Sequence, residues 1–323
     1  MKTFRQITFG WLVFTMCSCN PTGTMVEQYD DAKQVSFTIT PMECEEPQSR
    51  VSTDDKADFL WEESDIIGIF PTKGGQVDFS IPKEQAGQPT VTFDGGGWAL
   101  KADQSYFAYL PYNFFNREKQ SIPFSYSGQV QDGNVKDRRS HISNHLFFAS
   151  VPTTKQGEAL TLQFGHVGSV LNVWLTLPVA TTYTSMTIYT TDGAKVMPVE
   201  KEFNLETTQI NGSAVSIEET VTEYSDRLTL NLKNVTTSEP NEVVHLCMAF
   251  PSVSADTHPL GVVVYDKFGL KYSANLLKND GSQAYATFSR NKYHNRKASP
   301  VLNENFNFGL SNWEQGSNIQ GGV

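Results

Sequence analysis

Residues 34–40, QVSFTIT, alternate strictly: Val35, Phe37 and Ile39 fall on one side, Ser36, Thr38 and Thr40 on the other. Successive side chains leave a strand on opposite faces, so this period of two predicts a half-buried β-strand. Similar runs recur at 66–70, 77–81, 90–93, 106–111, 146–151, 160–164 and 170–177. After PVATTY at 178–183 a second set follows, at 186–190, 203–205, 214–217, 228–232, 243–250, 260–265, 270–276 and 285–288. Turn chemistry separates the runs: Asp94-Gly95-Gly96-Gly97 in the first set, Asp192-Gly193 and Asn211-Gly212 in the second. The last run, 302–310, puts Leu302, Phe306, Phe308 and Leu310 at two-residue spacing around the polar Glu304. No stretch carries three turns of amphipathic helix, and no internal repeat is visible. Short strands at this spacing predict an all-β fold of packed sheets rather than βαβ units. The break at 178 predicts two units, 34–178 and 179–323.

The first residues follow another pattern. Lys2 and Arg5 precede an apolar stretch at 7–17, ITFGWLVFTMC. It is shorter than the roughly 20 apolar residues that span a bilayer, and so reads as the core of a signal peptide. Met16-Cys17-Ser18-Cys19-Asn20 follows. It resembles a bacterial lipobox, in which a Cys behind small residues is lipidated and becomes the new N-terminus. Met16 stands where Leu is usual, and Cys17 competes, but Cys19 follows the small Ser18. The resemblance implies a lipoprotein signal peptide at 1–18 and an acylated Cys19; secretion without lipid is the alternative. Each buried CH₂ contributes about 0.8 kcal/mol, so one acyl chain holds marginally and several hold firmly. Residues 19–33 are polar, with Pro21 and Gly23, and read as a tether.

Composition agrees with strands and turns. The 323 residues suffice for two domains, and 23 Gly, 15 Pro, 21 Phe and 12 Tyr favour short strands over long helices. A net charge of −10 argues against nucleic acid as a partner, since phosphate binding needs clustered Lys and Arg. Without 1–18, Cys44 and Cys247 are the cysteines besides Cys19, too few for a disulfide framework.

Candidate chemistry is sparse. There is no Gly-x-Ser-x-Gly elbow, no His-Glu-x-x-His and no Gly-rich phosphate loop. Glu62 and Glu63 are adjacent, and strand neighbours point to opposite faces, which precludes a glycosidase pair. His141 and His145, with Asp137 nearby, could meet on a helix and bind zinc, but no helix is predicted there and Arg138 and Arg139 oppose a cation. His166 reads as a buried histidine and Asp65 as a turn cap. The aromatic run at 106–112 fits sheet packing, with sugar stacking as the alternative. The residues therefore predict no enzyme, no cofactor and no metal.

Several stretches, in order, resemble the fimbrillin-like family of Gram-negative type V pili. Phe37-Thr38-Ile39-Thr40 with Arg50 behind it is similar to the family's first strand and the Thr-Arg stretch that follows. Trp61-Glu62-Glu63-Ser64-Asp65-Ile66-Ile67-Gly68-Ile69-Phe70 resembles its W-x-x-G-D-x-I-G-V-F, with Ser64 in place of Gly. Tyr106 to Tyr112 resembles F-x-A-Y-Y-P-Y. Phe147-Phe148-Ala149 and the 160–166 run resemble L-L-x-A and L-x-F-x-H, and 310–316 resembles I-x-x-W-x-x-G. The resemblance implies two tandem transthyretin-like β-sandwich domains, an outer-membrane lipoprotein, and assembly into adhesive surface fibres with other fimbrial subunits. It also implies strand exchange: a protease cuts after a basic residue behind the first strand, that strand leaves, and a neighbour's strand replaces it. Arg50 and Lys56 are the basic residues of the 41–58 loop, and Arg50 is the better candidate for the cut. Val35, Phe37 and Ile39 would then be the displaced side chains, and Phe306, Phe308 and Leu310 a donor strand or the last strand of their own domain. A non-polymerising lipoprotein that binds a glycan, a host ligand or a bacterial surface is the second reading.

Overall fold

A computed structural model describes residues 34–39, 43–44, 60–94, 100–101, 104–133, 142–155, 159–212 and 214–303. The chain is all-β. Its only helices among the described residues are single 3-10 turns at Lys83–Gln85 and Ser143–His145. Cys19, Arg50, Phe306, Phe308 and Leu310 lie outside the described residues, as do His141 and Asp137.

Four sheets form. The first runs Val77–Ser80, Ile66–Pro71, Ser105–Leu110, Phe148–Ser150, Ala159–His166, Gln34–Ile39, Thr90–Asp94 in spatial order, with Thr153–Thr154 beside Ser105–Leu110. The second runs Glu242–Phe250, Ser169–Leu177, Lys292–Ala298, Glu43–Cys44, with Leu277–Lys278 also on Lys292–Ala298. The third runs Val301–Leu302, Lys271–Asn275, Val253–Asp266, Thr182–Thr190, Arg227–Thr236, Val130–Asp132, with Tyr285–Phe288 beside Val253–Asp266. The fourth is the long ribbon Ala214–Ser225 and Met197–Asn211, with Ile122–Ser125 alongside.

Alternation explains why these segments are strands. Ala159–His166 reads exposed-buried through Leu160, Leu162 and Phe164, and Thr182–Thr190 buries Tyr183, Met186 and Ile188. These inward faces merge into one apolar cluster that runs from Val35 and Phe37 through Phe147 and Leu171 to Leu246 and Tyr293. Other strands are buried on both faces. Ser105–Leu110 has every residue from Tyr106 onward buried, so Tyr106, Phe107 and Tyr109 are core and offer no surface to a sugar, while Tyr112, beyond the strand, is half-buried.

The strand pattern predicted from the sequence holds for the alternating runs, and Tyr285–Phe288 falls on its predicted span. Six described strands escaped it, among them the two-residue strands Glu43–Cys44, which lies in the predicted 41–58 loop, Thr153–Thr154 and Leu277–Lys278. Ile122–Ser125 and Val130–Asp132 are short, and Lys292–Ala298 (KYHNRKA) is too charged to read as core. Yet His294 and Arg296 are buried. The Arg296 guanidinium lies 5.5 Å from the centre of the Phe288 ring and donates to the Asn295 carbonyl at 2.8 Å, and Asn172 donates to the Asn295 side chain at 2.8 Å. Buried polar groups with partners satisfy a core as apolar ones do. Of the 302–310 run, Leu302 belongs to the strand Val301–Leu302 and the donor candidates lie beyond the described residues.

Pairing crosses residue 178 repeatedly. Ser169–Leu177 pairs with Glu242–Phe250 and with Lys292–Ala298, Ile122–Ser125 with the strand Met197–Asn211, and Val130–Asp132 with Arg227–Thr236. The first described segments also join two different sheets. Gln34–Ile39 lies in the first sheet, and Glu43–Cys44, a few residues on, pairs parallel with Lys292–Ala298 in the second.

Candidate functional site

The strand Gln34–Ile39 does not lie at a sheet edge. It runs parallel to Ala159–His166, with Val35 opposite Leu160 and Phe37 opposite Leu162, and antiparallel to Thr90–Asp94, with Phe37 opposite Val91. Both sides of its backbone are therefore paired, while Thr90–Asp94 has no other strand partner among the described residues.

Period two sorts its side chains. Val35 and Phe37 point into the core and are fully buried. Phe37 packs edge-on against Phe79 and Phe164, with centroids 5.7 and 6.0 Å away, and beside Trp61 at 6.2 Å. The buried Trp61 donates its indole N–H to the Phe37 carbonyl at 3.3 Å. On the outer face, Ser36 shares a hydroxyl hydrogen bond with Thr92 at 3.1 Å, and Thr38 with Thr90 at 3.2 Å. The backbone of Ile39 closes the strand opposite Phe164; its side chain lies outside the described residues.

The pocket's rim is built by its neighbours. Asp65 accepts the Glu62 N–H at 2.9 Å, the turn cap that the sequence suggests, and so fixes the entry of Trp61. The Trp61 backbone holds the segment that leads to the outer wall: its N–H donates to Gln88 at 2.9 Å, and its carbonyl accepts from Gly87 at 2.7 Å. Gln85 then clasps the wall strand from its outer side. Its side-chain oxygen accepts the Thr92 N–H at 2.6 Å, and its amide donates to the Thr92 carbonyl. Neither the indole contact nor the Gln85 clasp leaves a mark in the sequence, because single Trp and Gln residues have no period.

No family model matches the sequence, and no curated protein matches it. Solved structures that it is similar to include a candidate cell adhesion protein of Bacteroides uniformis, 11% identical, with a TM-score of 0.46 over 83% of this chain and 95% of that one. Another candidate cell adhesion protein, from Bacteroides ovatus, is 14% identical, with a TM-score of 0.43 over 85% and 95%. A fimbrial protein of Bacteroides ovatus is 10% identical, with a TM-score of 0.34 over 84% of this chain and 50% of that one.

His166 is buried against the Phe148 ring at 3.9 Å. Among the described residues no group of three or more His, Cys, Asp or Glu could hold a metal ion. Tyr109 is a buried hub whose hydroxyl donates to Gln76 at 2.9 Å and accepts from Asn116 at 2.9 Å and from the Asn113 N–H at 3.1 Å. Gln76 in turn donates to the carbonyls of Asn113 and Asn116 at 2.8 and 2.9 Å. This network holds a loop that turns Phe114 and Phe115 outward, 61% and 79% exposed.

The buried tyrosines give the fold a pH signature. Burial pushes Tyr106 from 10.0 up to about 12, and burial with the nearby Asp266 does the same to Tyr272. In both, the neutral form is favoured in the folded state. The unfolded chain ionises first, so stability is full below pH 10 and falls as pH rises from 10 toward 12. Chemical denaturation across that range, on wild type and on Tyr106→Phe, should show the drop, and the variant should show less of it.

Proposed function

We propose that this chain is a fimbrillin-like surface lipoprotein, a structural or accessory subunit of adhesive fimbriae assembled by protease-triggered strand exchange. It is anchored in the outer membrane through acylated Cys19, and it is not an enzyme. Its partners are other fimbrial subunits and, at the cell surface, a host or bacterial ligand. The all-β body comprises two tandem sandwiches of transthyretin-like type, 34–178 and 179–323, with strands paired across residue 178.

The observation that carries this reading is the place of Gln34–Ile39. It is the first described strand, it is inserted between two strands that are distant in sequence, parallel to one and antiparallel to the other, and it fills a ready socket with Val35 and Phe37. Its withdrawal would leave two facing rows of backbone groups and an apolar slot at two-residue spacing. Such an opening accepts another extended segment. Phe306, Phe308 and Leu310 have the matching spacing. Burying Val35 and Phe37 is worth roughly 1.5–3 kcal/mol each, so the strand does not leave unaided, and a cut in the 41–58 loop is the trigger.

Brief trypsin treatment of the purified protein tests this. Cleavage at Arg50 should yield a ladder of oligomers on a gel, and Arg50→Ala should suppress it. A protein cut at Arg50 that stays folded and monomeric rules the mechanism out. A second reading, a non-polymerising lipoprotein that binds a surface ligand, draws on the outward Phe114 and Phe115, since a held loop that exposes two aromatic rings marks a contact site.

A further inference from the structure

The slot filled by Gln34–Ile39 has two walls of unequal support. The inner wall, Ala159–His166, pairs antiparallel with Phe148–Ser150 on its far side, with Phe164 opposite Ser150 and His166 opposite Phe148. It stays in the sheet without the inserted strand. The outer wall, Thr90–Asp94, has Gln34–Ile39 as its one strand partner among the described residues. Withdrawal of Gln34–Ile39 would leave it with no ladder on either side, and a strand alone does not hold its shape in water.

On the far side of the outer wall stands the half-buried Gln85. Both hydrogen-bonding groups of its side chain go to the Thr92 backbone, the oxygen to the N–H at 2.6 Å and the amide to the carbonyl. Backbone groups alternate in direction along a strand. Thr92 turns both of its groups outward, so Val91 and Phe93 turn theirs inward, where the register sets them opposite Phe37 and Val35. One side-chain amide thus makes the pair of bonds that a neighbouring strand would make, and it leaves the inward row to whatever fills the slot. Gln85 is itself held by bonds that do not pass through Gln34–Ile39. It ends the 3-10 turn Lys83–Gln85, and its N–H donates to the Pro82 carbonyl at 2.9 Å. Before the turn, the Ile81 N–H donates to the Asp65 carbonyl at 3.1 Å; after it, Gly87 donates to the Trp61 carbonyl at 2.7 Å. Between Asp65 and Ile81 run the paired strands Ile66–Pro71 and Val77–Ser80, at the other end of the sheet from the slot. Loss of the first strand would take from this bracket the indole bond of Trp61 and the ring contacts of Phe37, and leave its backbone bonds in place.

We propose that Gln85 is the positioning residue that keeps Thr90–Asp94 standing as the outer wall once the first strand has left, and so decides whether the cut chain can take a replacement strand. The role rests on the strand exchange proposed above. It explains how an emptied slot keeps two facing rows of backbone groups at strand spacing instead of losing one of them.

Hydrogen exchange and peptide binding test this on protein cut at Arg50 and freed of its N-terminal segment, with a fluorescent peptide of residues 34–40 as the probe. In the trimmed wild type the Thr92 amide should stay protected. In trimmed Gln85→Ala it should exchange about tenfold faster, and the peptide should bind at least tenfold more weakly. Uncut Gln85→Ala should keep the Val91 and Phe93 amides protected, because the first strand still covers them. Gln85→Glu adds a pH readout. Its carboxylate can accept the Thr92 N–H but has no donor for the Thr92 carbonyl, whereas its protonated form has both. Peptide binding by trimmed Gln85→Glu should be weak at neutral pH and approach that of the wild type at the same pH as pH falls through about 4.3, the ordinary glutamate value. Equal peptide affinity of trimmed wild type and trimmed Gln85→Ala, or an unprotected Thr92 amide in the trimmed wild type, overturns the role of Gln85. A trimmed, folded wild type that binds no peptide overturns instead the strand replacement on which it rests. Should Gln85→Ala not fold, Gln85→Glu decides, and a ratio to wild type that does not change with pH overturns the proposal.

Discussion

Phe37→Ala should lower the unfolding free energy by about 3–5 kcal/mol, the range for deleting a buried aromatic side chain whose surroundings cannot collapse. Three rings hold the shape of its socket: Phe79, Phe164 and Trp61, and Trp61 is itself tied to the Phe37 carbonyl. None can swing into the space without leaving its own packing. Ser36→Ala, on the opposite face of the same strand, removes one half-buried hydroxyl contact and should cost about 1 kcal/mol or less. Urea denaturation of the two variants beside wild type checks the contrast. Equal midpoints would mean that the strand does not contribute its inward face to the core. Phe37→Ala should also loosen the strand's hold and speed oligomer formation after cleavage at Arg50.

The second large effect is expected at Glu219. Its carboxylate bridges two cations, Lys201 Nζ at 2.9 Å and Arg290 Nη2 at 2.8 Å. Lys201 is buried in the ribbon sheet, whereas Arg290 stands between Tyr285–Phe288 and Lys292–Ala298, so the carboxylate fastens the ribbon to the rest of the molecule. Glu219→Gln keeps the shape but leaves two like charges facing each other in a poorly hydrated place. The expected loss is about 3 kcal/mol. Burial already lowers the Lys201 amine below its ordinary range, against the pull of Glu219. A base with a lowered folded-state value is penalised while it is charged. The deficit of Glu219→Gln should therefore be fullest at neutral pH and shrink as pH rises through the Lys201 titration. The pair replacement Lys201→Met with Glu219→Leu removes one charge of each sign and should cost less than Glu219→Gln alone. Denaturation midpoints at two pH values measure both statements; a double variant less stable than the single would contradict them.

Much of the fold was legible because an exposed face forces alternation. Gln34–Ile39, Ala159–His166 and Thr182–Thr190 each put one face to the core, so their sequences carry the period. Lys292–Ala298 was hidden for the opposite reason. It is buried on both faces, and its neighbours satisfy its polar groups, so KYHNRKA has the composition of a loop and the surroundings of a core strand. Pairing across residue 178 was not legible, because a sheet pairs strands without regard to sequence distance, as the short 122–132 segment and its partners far downstream show. The candidate site was partly legible. The inward pair Val35 and Phe37 follows from alternation, whereas the partners on either side, and the parallel direction of one of them, are products of topology.

The central claim is that Gln34–Ile39 is a replaceable insert in a socket that outlasts it. A fluorescent peptide of residues 34–40, added to protein cut at Arg50 and freed of its own N-terminal segment, measures this directly by anisotropy. The account predicts that the trimmed protein binds the peptide, that the uncut protein does not, and that a peptide with Ser at both 35 and 37 binds at least tenfold more weakly, as loss of two buried apolar side chains requires. Equal binding of the two peptides, or a trimmed and folded protein that binds neither, would contradict it.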